Sequence, residues 1–224
     1  MISVIVAAAG TGSRMNHEKK KQFIELSGVP IIVRTLRAFE LDEIDEVIVV
    51  TGKEDISLIE AMVKDFGIKK VKAVIAGGPR RQDSIYNGLK KVSGDTVLIH
   101  DGARPFVSKK MILDHIEKDH KDCGFISAVP SKDTIKLVRD GMVEETLDRS
   151  LLYNVQTPQS FETKSLLKAY DYAYKKALSV TDDASVYEAY GKTVKIVNGR
   201  YENIKITTPE DLAIGEYMIK TNSK

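Results

Sequence analysis

Tryptophan is absent from this chain, and its 224 residues contain a single cysteine, Cys123. One thiol excludes an intrachain disulfide framework and a cysteine-rich zinc site. No run approaches the roughly 18 consecutive apolar residues of a membrane-spanning helix. Met1 leads directly into a strand-like segment without a charged and apolar leader, so a cytoplasmic protein is the expectation. An excess of one charge is also missing, since 34 basic and 32 acidic residues leave a formal net charge of +2. Bulk electrostatics therefore give no support for a nucleic-acid binder, and no basic stretch is interleaved with aromatics. Phosphate recognition, if present, must come from local clustering.

What remains is ordinary globular material: 42% hydrophobic and 29% charged residues. A chain of this length can bury roughly 70% of its unfolded surface. No internal repeat, low-complexity tract or linker divides it, so residues 1–224 are expected to form one domain. Short, unbroken, β-branched runs recur at Ile2–Ala8, Val47–Thr51, Val71–Ile75, Thr96–His100 and Phe125–Val129. Such runs suit strands buried on both faces. Between them, Pro30–Phe39, Asp55–Phe66, Gln82–Val92 and Lys109–Lys118 read as helices, the last with Ser108 as its cap. This alternation predicts an α/β fold with a mostly parallel central sheet covered by helices.

The rhythm then breaks. Thr134–Val138 and Met142–Leu147 flank Arg139-Asp140-Gly141, a good hairpin turn. A lone two-stranded ribbon is marginal in water, so residues 132–152 are expected to pack on another surface, with a partner subunit favoured. Beyond it, Glu162–Leu178 reads as a helix, and Thr181 as the cap of a short helix reaching Tyr190. Val194–Val197 and Asn203–Ile206 read as strands, and Thr208-Pro209-Glu210 opens the last helix.

The chemistry concentrates near the start. Val4–Ala9 runs into Gly10-Thr11-Gly12-Ser13-Arg14-Met15, followed by Lys19-Lys20-Lys21-Gln22. A strand entering a small-residue turn lets backbone N–H groups approach an anion, and the cations that follow can neutralise it. A Walker loop would need a Gly-Lys-Ser/Thr ending, which is absent. A dinucleotide fingerprint would need a third glycine where Met15 stands. A nucleoside triphosphate and a purely geometric turn remain; Arg14 and Lys21 favour the triphosphate. Asp101 ends a predicted central strand, where ligands of open α/β sheets gather, and its carboxylate suits Mg²⁺. His100 has no histidine cluster around it and reads as packed or hydrogen-bonded.

These blocks form an ordered set. Gly10–Met15 with Lys21-Gln22-Phe23 is followed by Gly77-Gly78 with Arg81-Gln82-Asp83-Ser84, and by His100–Pro105. Asp133-Thr134, Asp148-Arg149, Thr157-Pro158-Gln159, Thr181–Ser185 and Asn203-Ile204-Lys205 come next. The set resembles the sugar- and polyol-phosphate nucleotidyltransferases. Within them it is most similar to the cytidylyltransferases that act on 2-C-methyl-D-erythritol 4-phosphate in non-mevalonate isoprenoid synthesis.

The resemblance implies a Rossmann-like fold, CTP as substrate and Mg²⁺ as cofactor. It also implies a homodimer formed by exchange of the β-hairpin arm. Ala7, Ala8, Ala9, Gly10, Thr11, Gly12, Gly78 and Ser84 would bind CTP, and Arg14 and Lys21 would grip its triphosphate. Asp101, Arg104, Thr134, Arg149, Thr157, Thr181 and Lys205 would surround the polyol phosphate. Arg14, Lys21, Arg149 and Lys205 would be catalytic, and Asp101 would ligate the metal.

Two positions depart from the family's pattern. Lys20 stands where proline is usual, which shifts the loop or supplies a second cation. Pro79-Arg80 replaces a frequent acidic pair, leaving the Gly78 backbone as the surer ribose contact. The nearest alternative is a ribitol-5-phosphate cytidylyltransferase; a noncatalytic nucleotide-binding protein and a nicotinamide-dependent oxidoreductase are further alternatives.

Overall fold

The computed structural model of the chain describes residues 1–10 and 20–222, with Lys21 and Asn222 described by backbone alone. Thr11, Gly12 and Arg14 lie outside the described residues, and so does the Lys21 side chain. In chain order the strands are β1 (Ile2–Ala8), β2 (Glu25–Leu26), β3 (Val29–Pro30), β4 (Glu46–Thr51), β5 (Val71–Ala76) and β6 (Thr96–Asp101). They continue with β7 (Cys123–Pro130), β8 (Lys136–Arg139), β9 (Met142–Thr146), β10 (Tyr153–Glu162) and β11 (Thr193–Asn198). The helices are α1 (Ile31–Arg37), α2 (Ile56–Asp65), α3 (Arg81–Leu89), α4 (Lys109–Ile116), α5 (Thr163–Lys175), α6 (Asp183–Ala189) and α7 (Pro209–Asn222).

Seven strands form one sheet in the order β11-β7-β10-β6-β1-β4-β5. β1 pairs in parallel with β4 and β6, and β4 with β5. The period-2 alternation of the strands sends side chains to opposite faces, and both faces are covered. Val4, Val6, Val49 and Leu98 pack on one side with residues of α1, α2 and α4. Ile5, Ile48, Val97 and Ile99 pack on the other with α3, α5 and α6. Capping follows the expected chemistry in places. Met111 N–H donates to Ser108 Oγ at 3.3 Å, and Thr208 Oγ1 and Asp211 Oδ2 accept reciprocally from each other's backbone N–H at 3.3 and 2.9 Å.

Three expectations are corrected. First, the sequence reading placed no strand at 153–162, yet β10 runs antiparallel between β6 and β7. Its polar composition and Pro158 hide it, because proline within a run argues against a central strand. The register shifts between Val155 and Gln159, so the proline sits where the ladder is interrupted. Second, 203–206 is not a strand but a strap held at single points. Ile206 N–H donates to Ala103 O at 2.8 Å, and Asn203 Nδ2 to Thr157 O at 2.8 Å. Third, α6 is capped by Asp182 rather than Thr181, with Ser185 N–H donating to Asp182 Oδ1 at 2.9 Å.

The arm of β8 and β9 forms its own two-stranded sheet with every residue exposed. Asp140 and Gly141 turn it with φ of 49° and 78°, the left-handed pair that matches hairpin twist. Among the described residues, no helix is long and apolar enough to cross a membrane.

Candidate active site

Read outward from β1, the sheet runs to β4 and β5 on one side and to β6 on the other. The order therefore reverses between β1 and β6, and a crevice opens beyond their carboxyl ends. Two cavities occupy this crevice. One, of about 270 Å³, is lined by Ala7–Gly10, Gly78, Ser84 and Gly102 among others. The other, of about 440 Å³, is lined by Arg104, Thr157, Gln159, Thr181, Asp182 and Ser185 among others. Arg81, Asp101 and Lys205 line both. The cavities thus meet at a seam formed by the shared Asp101 carboxylate, Arg81 and Lys205.

The first cavity is walled mainly by backbone and small side chains. Gly102 N–H donates to Ala7 O at 2.9 Å, closing the base between β1 and β6. Gln22 Nε2 donates to Ala8 O at 3.0 Å and pins the chain's return onto the end of β1. Across the cavity, Gly78 N–H donates to Ser84 Oγ at 3.1 Å. A Cβ on Gly78 would lie 2.4 Å from Asp83 Cβ, so only glycine lets this turn rest on the start of α3.

Both departures from the family pattern are spent locally. Arg80 chelates Asp83 through Nη2 and Nε at 2.8 and 3.0 Å. That pairing leads the groups holding the Asp83 carboxyl down at about 2. The Lys20 ammonium pairs with Asp55 at 2.6 Å and with Glu54. It therefore serves as an anchor between the loop's return and the end of β4, rather than as a second cation in the cavity.

At the seam, Lys205 Nζ lies 2.8 Å and Arg104 Nε 3.5 Å from Asp101 Oδ2, while Arg81 Nε lies 3.7 Å from Oδ1. Burial alone would raise the Asp101 carboxyl, but Lys205, Arg81 and Arg104 hold it well below the usual carboxylate range. Asp101 is also held through its backbone: its N–H donates to Thr157 Oγ1 at 3.0 Å. The Thr157 hydroxyl then directs its proton to His100 Nδ1 at 3.1 Å, leaving His100 Nε2–H for Arg104 O at 3.1 Å. Burial lowers His100 to about 4, so the ring stays neutral and fixes this chain of bonds. Thr157 lines the second cavity, but its hydroxyl is engaged in positioning Asp101.

In the second cavity, Gln159 donates from Nε2 to Asp182 Oδ2 at 2.9 Å and accepts from Ala184 N–H at 3.1 Å. Arg104 donates from Nη1 to Asn203 O at 2.8 Å. Beyond its 3.5 Å ion contact with Asp101 Oδ2, its buried Nε has no hydrogen-bond partner among the described residues. Thr181 is exposed at the rim.

Thr134 and Arg149 are not brought to these cavities. Both are exposed at the arm, where Arg149 Nη1 donates to Lys132 O at 2.9 Å. Conversely, Arg81, Gln159, Asp182 and Asp183 were not assigned roles from sequence. Arg81 and Gln159 lie inside the motif blocks, but a basic residue at a helix start and an amide in a polar segment carry no local mark of function.

Asp101, held below the usual carboxylate range, offers a hard oxygen donor. Among the described residues no group of three or more His, Cys, Asp or Glu could hold a metal. A lone carboxylate suits Mg²⁺, which keeps several waters and needs few protein ligands. It does not fit a zinc cage.

The geometry and the ordered motifs agree with what comparison finds. Residues 2–221 match the family model described as 2-C-methyl-D-erythritol 4-phosphate cytidylyltransferase. The chain belongs to this family. It is 46% identical over 224 residues to the enzyme of that name from Alkaliphilus oremlandii, covering 98% of this chain and 95% of that one. With the enzyme of that name from Bacillus mycoides it shares 47% identity over 226 residues, covering all of both chains. Among solved structures, 4-diphosphocytidyl-2C-methyl-D-erythritol synthase from Anaerococcus prevotii superposes with a TM-score of 0.85 at 34% identity, covering 98% of each chain. The Thermus thermophilus cytidylyltransferase gives a TM-score of 0.79 at 31% identity, covering 97% of this chain and 98% of that one. The family's activity is therefore this chain's activity: CTP-dependent cytidylyl transfer to 2-C-methyl-D-erythritol 4-phosphate, a step in isoprenoid precursor synthesis.

Proposed function

We propose that the cavity of Ala7–Gly10, Gly78 and Ser84 holds CTP, that the cavity of Arg104, Thr157 and Thr181 holds the polyol phosphate, and that transfer takes place at their seam. The observation that carries this assignment is the sharing of Asp101, Arg81 and Lys205 by both cavities. A phosphate-monoester oxygen attacks the α-phosphorus of CTP, the bond to the β-phosphate oxygen breaks, and pyrophosphate leaves. The attacking monoester is already largely ionised near neutral pH, so it needs no strong base. The barrier is repulsion between anions and the alignment of attack. Lys205 and Arg104, released in part from Asp101, orient the acceptor phosphate. Arg14 and Lys21 hold the triphosphate and stabilise charge at the α-phosphorus. Asp101 would hold Mg²⁺, which when bound neutralises triphosphate oxygens.

Thr134 and Arg149 reach a site only if an arm crosses to a second copy of the chain. The arm supports that reading by its exposed apolar side chains, with Met142 71%, Val143 59% and Leu151 76% exposed. We therefore assign a homodimer in which each arm supplies Thr134 and Arg149 to the neighbouring acceptor cavity. Mixing Asp101→Asn with Arg149→Ala subunits tests it. Each alone is expected to be inactive, and re-equilibrated mixtures should regain about a quarter of wild-type turnover, because only one site of each mixed dimer is complete. Absence of recovery in a verified mixed dimer overturns arm exchange.

The substrate assignment is tested by offering CTP with either 2-C-methyl-D-erythritol 4-phosphate or ribitol 5-phosphate and identifying products. The expected products are 4-diphosphocytidyl-2-C-methyl-D-erythritol and pyrophosphate. Preferential turnover of ribitol 5-phosphate would reject it.

A further inference from the structure

Asp183 is fully buried and lines neither cavity. A carboxylate without water persists only when its oxygens are paired. Here Oδ2 accepts from Arg81 Nη2 at 2.8 Å and Oδ1 from the Tyr170 hydroxyl at 2.5 Å. Burial works against the Arg81 guanidinium's charge, yet Asp183 and Asp101 outweigh it and hold Arg81 above its ordinary pKa.

The cations at the seam divide by face. Lys205 and Arg104 approach Asp101 Oδ2, whereas among the described residues Arg81 alone approaches Oδ1. An acceptor phosphate competes with Asp101 for Lys205 and Arg104. Arg81 cannot be drawn off as easily, because leaving would strand Asp183 without a cation in the core. Arg81 also opens α3, beside Gly78 and Ser84, while Asp183 opens α6, whose Asp182, Ala184 and Ser185 line the acceptor cavity. One ion pair therefore joins the two helices that wall the two cavities.

We infer that Arg81 is a positioning residue: clamped by Asp183, it holds the Oδ1 face of Asp101 and keeps the nucleotide and acceptor cavities in register across the seam. The inference rests on the assignment of the two cavities proposed above. It requires that a residue touching neither substrate, Asp183, controls the binding of both.

The test is steady-state kinetics on Asp183→Asn, Arg81→Lys and the double variant, with calorimetric titration of CTP in the absence of acceptor. Each single variant is expected to raise KM for both substrates about 10-fold, the scale of losing a supporting contact to a ligand-bearing side chain. The calorimetric Kd for CTP should rise in step. The double variant should be no worse than the worse single one, because the two residues act along one path. Additive effects, or an effect of Asp183→Asn confined to the acceptor KM, would overturn the inference. So would unchanged KM values for both substrates in a folded Asp183→Asn.

Two further variants separate positioning from general loosening of the core. Tyr170→Phe removes the other partner of Asp183 but keeps the Arg81 pair. It is expected to lower the melting temperature and leave both KM values within about twofold; if it raises both as much as Asp183→Asn does, the inference fails. Should Asp183→Asn not fold, Arg81→Lys, altering a side chain 31% exposed, carries the test alone. Wild-type turnover of CTP with the polyol phosphate stands apart from these outcomes. Its absence defeats the cavity assignment, whereas its presence with unaltered variants defeats only the role of Arg81.

Discussion

The two cavities are built from different materials. The side proposed for the nucleotide is rich in small residues, with Ala7–Gly10, Gly78 and Gly102-Ala103 making up half of its lining. The side proposed for the acceptor is walled by side chains from separated segments: Arg104, Thr157 and Gln159, Asp182 and Ser185, and Lys205. A backbone-walled cavity depends on glycine and alanine being present, since any larger side chain fills it. A side-chain-walled cavity depends on the network that aims each group. Damage should therefore be steric on one side and electrostatic or hydrogen-bonded on the other.

The largest expected effect tests the charge proposed for the nucleotide side. Lys21→Ala should reduce turnover by at least about 10²-fold, the scale of losing one preorganised donor; near-normal turnover in a folded variant would remove Lys21 from the chemistry.

A second effect concerns the footing of the acceptor side. His115 packs between α4 and the sheet, contacting Ser160 of β10 at 2.7 Å and Ser127 of β7 at 2.8 Å. Burial lowers it from 6.5 to about 3, so the folded protein keeps it neutral. Below about pH 6.5 the unfolded chain binds a proton that the folded one refuses. Stability from this group is thus complete above that pH and declines as pH falls, by about 2 kcal/mol at pH 5. Urea unfolding at pH 7 and pH 5 measures it. The loss between the two should be smaller in His115→Asn than in wild type, and equal losses would exclude His115 as the cause.

Smaller effects sharpen the comparison directly. Gly78→Ala drives a Cβ against α3 and should raise KM for CTP about 10-fold with the acceptor KM unchanged, a cost of one or two kcal/mol for an overpacked contact. Asp182→Ala removes the cap of α6 and the partner of Gln159. Losing such a cap costs about 1 kcal/mol, and the expected result is an acceptor KM raised roughly fivefold with CTP unaffected. If each of these variants moved both KM values equally, the cavities would not be separable in the way their walls suggest.

Legibility follows the same division. The hydrophobic runs of β1, β4, β5 and β6 declare themselves because a strand buried on both faces must be apolar throughout. Asp101 at the end of β6 follows from those strands. β10 escapes notice because its polar side chains find partners only in the assembled protein: Ser160 in His115 and His120, Gln159 in Asp182, and Thr157 in His100. The strap at 203–206 looks like a strand by composition but is held at isolated points. Thr181 looks like a helix cap, yet the neighbouring Asp182 performs that task.

The amino-acid sequence by itself determined the α/β order and the ordered motifs of the cytidylyltransferase family. Each of these depends on local periodicity or on residues close along the chain. Tertiary structure alone decided that β10 enters the sheet, that Lys20 is consumed by Glu54 and Asp55, and that Arg81 bridges Asp101 to a buried Asp183. Partners 20 to 102 residues apart, such as Arg81 with Asp101 and with Asp183, leave no local pattern. Which charge neutralises which is settled only when folding removes water and leaves each buried ion no alternative partner.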